Sequence, residues 1–266
     1  MFAAFQIEDI QFNNSDHWVQ RGKESETSAN QSVSAAIDQF MKPDGAVDAA
    51  AMMNEWFPDI PANVFISHSR ADKSLALGLA GWLKDCFGLE PFIDSCVWSH
   101  ANGLIKALDD KFCKTGPDLY SYPKSLVTAA HVHMMLSTAL TQMMDRCECV
   151  FFLNTSNSIS SKTLEEMVDS SNGSTHSPWL FHEISMMQML RRRMKEEHRD
   201  KLINFSEGME KIAASIPRFD YPVTLAGIPT LVETDLHAWV SREAKQKDAL
   251  DALYVIKDPH SRPLIS

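Results

Sequence analysis

Two side chains one helical turn apart are the best candidates for chemistry in this sequence. Trp179 and Glu183 are four residues apart, so on a helix they lie on the same face. An indole can stack on a flat cationic ring, and a nearby carboxylate can stabilise positive charge in a transition state. The structural alternative makes Trp179 a core aromatic and Glu183 a solvated surface acid. The W-x-x-x-E spacing alone leaves both interpretations open.

A second polar group follows the clearest strand signal of the sequence. His68, Ser69 and Arg70 come directly after Val64-Phe65-Ile66. Ligands of open α/β folds lie beyond the carboxyl ends of strands, so these three residues are expected to bind the ligand. Arg70 is suited to a pyrophosphate group, as is the N-terminus of the helix predicted to follow. The alternatives are packing for His68 and an exposed charge for Arg70.

A third group follows the next strand signal, Pro91-Phe92-Ile93. Asp94 ends that strand and Trp98 lies in the segment after it, which is predicted to be a loop. The same rule about strand ends makes both residues candidate ligand contacts. Alternatively, Asp94 caps a turn and Trp98 belongs to the core.

Familiar cofactor and metal signatures are missing from the sequence. It has neither G-x-G-x-x-G nor G-x-x-x-x-G-K, so neither a Rossmann dehydrogenase nor a P-loop NTPase is indicated. His131 and His133 are two residues apart and diverge on a helix, which argues against a metal site. We therefore expect no metal and no cofactor.

Hydrophobic spacing predicts the elements that position these residues. Strands are predicted at 64–66, 91–93, 150–153 and 221–225. Helices are predicted between them: one with Asp72 at its N-cap and Gly88 at its end, two between 99 and 146, one from Trp179 to about His198, and one around 236–240. Short apolar strands that alternate with helices predict an α/β fold with a doubly wound parallel sheet of the flavodoxin-like type.

Composition narrows the class of protein. The chain has 266 residues and a formal charge of −10, which argues against nucleic-acid binding because phosphates need a basic surface. No run of eighteen apolar residues is present, so no membrane span is expected, and the N-terminus does not have the pattern of a secretion signal. The five cysteines are therefore expected to be reduced, and the protein to be cytoplasmic.

Three segments resemble the Toll/interleukin receptor (TIR) domains of bacteria. VFISHSRADKSLALGLAGWL and GLEPFIDSCVW, within 64–98, are similar to the first strand, first helix and second strand of TIR domains. SPWLFHEI, at 177–184, resembles the S-x-W-x-x-x-E segment of the NAD-consuming members. The resemblance covers roughly 62–245. It departs from the compact pattern at 99–146, where the helix B region is lengthened or carries an insertion.

The resemblance implies an activity and assigns roles. Glu183 would be the catalytic carboxylate of an NAD+ nucleosidase that gives ADP-ribose or a cyclic ADP-ribose-type signal in anti-phage defence, with NAD as substrate. Asp94 and Trp98 would lie on the BB loop, which joins TIR domains in self-association. A downstream effector would sense the product. The alternatives are a non-catalytic TIR scaffold and a sensor that binds an ADP-ribose-like nucleotide without turnover.

The domain organisation follows from the same comparison. Residues 1–61 are expected to be a partly helical N-terminal extension, because residues 1 to about 33 are polar and the Pro43-Asp44-Gly45 turn separates two short helical signals. Residues 62–266 are expected to form the TIR domain, with the insertion around 99–146 and a C-terminal helix.

Overall fold

A computed structural model describes residues 1–8, 10, 15–29, 37–57, 60–93, 95–159, 172–175, 177–199 and 221–260. In these residues the strands are β1 Ala3–Ile7, β2 Val64–Ser67, β3 Pro91–Ile93, β4 Lys114–Gly116, β5 Leu119–Tyr120, β6 Cys149–Leu153, β7 Asn172–Thr175, β8 Tyr221–Thr224 and β9 Thr230–Leu231. The α-helices are α1 Ser15–Ala29, α2 Ala49–Trp56, α3 Lys73–Phe87, α4 Ser95–Leu108, α5 Tyr122–Arg146, α6 Pro178–Met189, α7 Glu196–Arg199, α8 Glu233–Val240 and α9 Lys247–Ile256.

The main sheet has five parallel strands in the order β3-β2-β6-β1-β9. Helices cover it on both sides, so the predicted α/β class with a parallel sheet is confirmed. Strands β3, β2 and β6 stand in the order 2-1-3 of a flavodoxin-like sheet when they are counted from Val64. On the side of β6 away from β2, the next strand is β1, from the N-terminal residues of the chain.

Strand β1 was not predicted from the sequence. All five of its residues are buried, and it pairs with β6 in register from Ala3 opposite Cys149 to Ile7 opposite Leu153. The extension expected over 1–61 thus contributes a strand to the interior of the sheet. The strand predicted at 221–225 exists as β8, but it pairs antiparallel with β7 in a separate ribbon. The prediction that it joins the parallel sheet is wrong.

Alternating strand residues enter two separate cores. Ala4, Phe65, Phe92, Val150 and Phe152 pack with α2, α4, α5 and α6 on what we call face A. The residues between them in sequence pack with α1, α3, α8 and α9 on face B; they include Phe5, Val64, Ile66, Phe151 and Leu153. This period of two is what a sheet buried on both faces requires.

Helix α1 packs closely on α3. A Cβ on Gly22 would lie 2.0 Å from the Leu77 carbonyl oxygen, and a Cβ on Gly81 would lie 2.1 Å from the Trp18 carbonyl oxygen. The two backbones can approach this closely only because glycine has no Cβ at these positions. Arg21 on α1 also donates to Asp85 on α3 at 2.6 Å. The N-terminal residues are therefore part of the core of face B.

The predicted helices are present, with changes at their ends. Helix α3 ends at Phe87, and Gly88 follows it in the left-handed conformation, as predicted. The helix predicted to run from Trp179 to about His198 ends at Met189, and the short helix α7 follows. Helix α9 was not predicted. Across the described part of the chain, no helix has the length and apolar character of a membrane span.

Candidate active site at the carboxyl edge of the sheet

The chain changes direction between β2 and β6, which are adjacent in the sheet. After β2 it continues through α3 to β3 on one side, and after β6 it continues to β9 on the other side. The two loops that leave these strands both lie at the carboxyl edge of the sheet. Such topological switch points are where open α/β sheets bind ligands.

Glu183 contacts the end of β2 at this point. Ser67 follows Phe65 by two residues, so its side chain also lies on face A of the sheet, which α6 covers. The Ser67 hydroxyl donates to Glu183 Oε2 at 2.6 Å. Helix α6 begins at Pro178, and the Ser177 side chain caps it by accepting from the Leu180 amide. The cap and the contact together fix the position of the carboxylate.

Glu183 has no exposed surface, at 0%. The interpretation of this residue as a solvated surface acid is therefore wrong. Its neighbours along α6, Leu180, Ile184 and Met187, are also buried. A carboxylate is seldom buried without a specific partner, because its desolvation is costly. Its position at the switch point makes it the strongest candidate for chemistry in the described residues.

Trp179 lies one turn before Glu183 on the same helix, as predicted. It is partly buried against the core of face A. Its ring meets His133 of α5 edge to face, with ring centroids 5.7 Å apart and planes at 78°. Trp179 thus packs partly in the core, as the structural alternative has it, and the rest of its surface is accessible to a ligand.

Helix α5, from the 99–146 segment, packs against α6. His182 of α6 is hydrogen-bonded to Thr141 at 3.0 Å, and it also lies 3.3 Å from the Ser137 carbonyl oxygen. Burial lowers the pKa of His182, partly offset by that carbonyl. Residues from the 99–146 segment therefore hold the helix that carries Glu183. The sequence predicted two helices in this segment and left its role in the site open.

The loop after β2 has three differently placed candidates. His68 is buried, at 0% exposure, and Ser69 is buried as well, whereas Arg70 is exposed. Arg70 is therefore available to an anionic ligand. Buried His68 agrees with the packing alternative, since it presents no surface to solvent in this conformation.

Asp72 is a site residue whose role the sequence did not predict. It stands at the N-cap position of α3, but its side chain does not cap the helix. Instead it accepts from Ser69 Oγ at 2.5 Å, Thr155 Oγ1 at 2.6 Å and Asn157 Nδ2 at 2.8 Å. Burial raises the pKa of Asp72. The three hydrogen bonds and the nearby His68 lower this pKa by more than burial raises it, so it lies below its ordinary value.

The loop after β6 is also tied to the strand on its other side. Asn154 donates to Gln6 at 3.0 Å and to Glu8 at 2.7 Å, both at the end of β1. Polar contacts thus run along the carboxyl edge from β2 through β6 to β1. In the sequence, these contacts were indicated only by the change from apolar to polar residues at Asn154.

Asp94 and Trp98 are not described in a way that tests their roles. Asp94 lies outside the described residues. The segment predicted as a loop is helical from Ser95, so Trp98 belongs to α4, and its side chain also lies outside what is described.

Among the described residues, no group of three or more His, Cys, Asp or Glu side chains is arranged to hold a metal ion. Comparison of the chain with protein-family models, curated proteins and solved structures finds no match.

Proposed function

We propose that this protein is a TIR-domain enzyme that cleaves the nicotinamide–ribose bond of NAD+. The observation that carries the proposal is the position of the Glu183 carboxylate, which Ser67 holds at 2.6 Å at the switch point of the sheet. The resemblance of SPWLFHEI to the catalytic segment of TIR enzymes assigns the same residue.

The chemistry suits a site with a single positioned acid. Nicotinamide in NAD+ is already cationic, so no general acid has to protonate the leaving group. What remains is to stabilise an oxocarbenium-like ribosyl cation, which one carboxylate can do. A carboxylate shielded from water is more effective in this role, because the local dielectric is low.

The rest of the dinucleotide has candidate contacts on the same edge. Trp179, one turn from Glu183, would stack on the nicotinamide ring. Arg70, exposed after β2, would pair with the pyrophosphate, beside the N-terminus of α3. Asp94 and Trp98 remain proposed contacts, by their position after β3.

The product and setting belong to the same proposal. Water attacking the ribosyl cation gives ADP-ribose, and attack by an atom of the same molecule gives a cyclic product. By its resemblance, the protein would act in the cytoplasm in anti-phage defence, self-associate through its TIR domain and signal to an effector that senses the product.

The full burial of Glu183 favours a second candidate, a non-catalytic TIR scaffold in which this residue only joins α6 to β2. A related candidate is a sensor that binds ADP-ribose without turnover. A scaffold would release no nicotinamide and would lose stability when Glu183 is changed. A sensor would bind ADP-ribose in calorimetry and still release no nicotinamide.

The deciding experiment measures nicotinamide release from NAD+ by the purified protein over a series of enzyme concentrations. The parent and Glu183→Gln are compared with Glu233→Gln, which changes an exposed glutamate of α8. Release by the parent and Glu233→Gln, but not by Glu183→Gln, supports the proposal. A parent that releases no nicotinamide at any concentration contradicts it. A rate per molecule that rises with concentration would support the proposed self-association.

A further inference from the structure

Among the described residues, Asp72 is the carboxylate that joins the loop after β2 to the loop after β6. Ser69 belongs to the loop after β2, and Thr155 and Asn157 belong to the loop after β6. The residue is 8% exposed, so its oxygens serve these protein donors. A carboxylate at the start of a helix ordinarily caps it by accepting from a backbone amide. Asp72 stands at the start of the fifteen-residue helix α3, but its side chain makes no such hydrogen bond.

The loop after β6 is shaped around the residue that contacts Asp72. Thr155 Oγ1 donates to Asp72 and accepts from the Asn157 amide at 3.1 Å. The Ser158 and Ile159 amides both donate to the Thr155 carbonyl at 3.0 Å. The turn 155–159 is therefore ordered internally and is attached to the β2 side through Asp72.

We propose that Asp72 is a positioning residue that fixes the loops 68–70 and 154–159 relative to each other at the switch point of the sheet, and so holds them in the arrangement that binds the dinucleotide. It acts through Ser69 and Thr155 and does not touch the substrate. The effect on NAD+ rests on the proposed function, whereas the effect on the two loops does not.

The geometry determines which kinetic constant changes. Glu183 is held by Ser67 and α6, whereas the hydrogen-bond partners of Asp72 are Ser69, Thr155 and Asn157. Loosening the two loops therefore weakens binding of the dinucleotide and leaves the chemical step nearly unchanged.

The test uses two changes that keep side-chain shape. Asp72→Asn keeps the size of the side chain, but its amide nitrogen cannot accept a hydrogen bond. Thr155→Val removes the hydroxyl that donates to Asp72 and accepts from the Asn157 amide, and Thr155→Ser restores it. Asp48→Asn is the matched control, because Asp48 caps α2 by accepting from the Ala51 amide, and asparagine caps equally well.

Two measurements are made on each full-length variant. We expect Asp72→Asn and Thr155→Val to raise KM for NAD+ about tenfold with kcat within about twofold, since a charge-assisted hydrogen bond is lost. Thr155→Ser and Asp48→Asn should match the parent. In amide hydrogen exchange, the protected amides of Asp72, Ser158 and Ile159 should exchange about tenfold faster in the first two variants only.

The two measurements separate the two hypotheses. Unchanged exchange in both loops for Asp72→Asn and Thr155→Val overturns the positioning role, whatever the activity. Faster exchange with an unchanged KM also overturns it, since the contact would then be only structural. If the parent shows no NAD+ cleavage, the proposed function fails, and the exchange data alone decide whether Asp72 fixes the loops.

Discussion

The Ser67 hydroxyl donates to Glu183 Oε2 at 2.6 Å, which joins the end of β2 directly to the middle of α6. The two residues are 116 positions apart in the chain. The contact brings a strand end, where α/β folds bind ligands, against the helix that carries Trp179 and Glu183.

The first prediction concerns the carboxylate. Glu183→Gln keeps the shape and can still accept from Ser67, so the variant should melt within a few degrees of the parent. NAD+ cleavage should fall about a hundredfold or more, because the charge that we propose stabilises the ribosyl cation is gone. Nicotinamide release and thermal melting are measured on the same samples, with Glu233→Gln as control. Normal melting with the parent rate would show that another residue carries the reaction.

The second prediction concerns the donor. Ser67→Ala removes the hydroxyl that orients Glu183, so kcat for NAD+ cleavage should fall about tenfold. Ser67→Thr keeps a hydroxyl and should recover most of the rate. Steady-state kinetics on the three proteins checks this expectation. Equal rates for the alanine and threonine variants would show that the hydrogen bond from residue 67 to Glu183 does not contribute to catalysis.

The sequence predicted the elements that carry the candidate site, because each is marked locally. Strands β2, β3 and β6 are short apolar runs bounded by polar residues or turns, and Trp179 and Glu183 fix their own face once they lie on a helix. Each of these elements could therefore be located in the sequence from its own residues alone.

The contacts that complete the site could not be predicted, because they depend on distant packing. Ser67 has no distinguishing feature until α6 packs on face A. Asp72 looked like a helix cap, and its partners Thr155 and Asn157 are 83 and 85 positions away. Strand β1 lacks alternation because it is buried on both faces, and it is recognisable only once β6 lies beside it.

The third prediction separates two tryptophans. Trp82 is 9% exposed and meets Phe87 and Trp239 with ring centroids 5.0 Å and 5.7 Å away. Trp82→Ala should therefore destabilise the protein by about 3–5 kcal/mol. Trp179→Ala should cost less stability, because the ring is only partly buried, and should raise KM for NAD+. Urea denaturation and kinetics check both. Equal losses of stability would contradict this division of roles.

The fourth prediction tests whether the N-terminal residues belong to the core. Glycine to alanine inside a helix usually adds up to about 1 kcal/mol of stability. At Gly22 and Gly81 the added Cβ would meet backbone at 2.0 Å and 2.1 Å, so both variants should instead lose about 1–3 kcal/mol. Gly103→Ala on helix α4, whose Cβ would lie 3.4 Å from the Trp56 side chain, is the control. Stabilisation by Gly22→Ala would mean that α1 does not pack on α3.

The fifth prediction concerns acid stability. Burial raises the pKa of Asp72 and hydrogen bonds lower it, with a net value below the ordinary 3.8. A carboxyl with a depressed folded pKa stabilises the protein above about pH 4, and this contribution is lost as pH falls through the folded pKa. Asp72→Asn should therefore lower the free energy of unfolding by about 1–3 kcal/mol at pH 7, and the difference from the parent should shrink below pH 4. Urea denaturation at pH 7, 5, 4 and 3 measures it, with the exposed Asp248→Asn as control. A difference that stays constant from pH 7 to pH 3 would mean that the loss comes from packing and not from the charge.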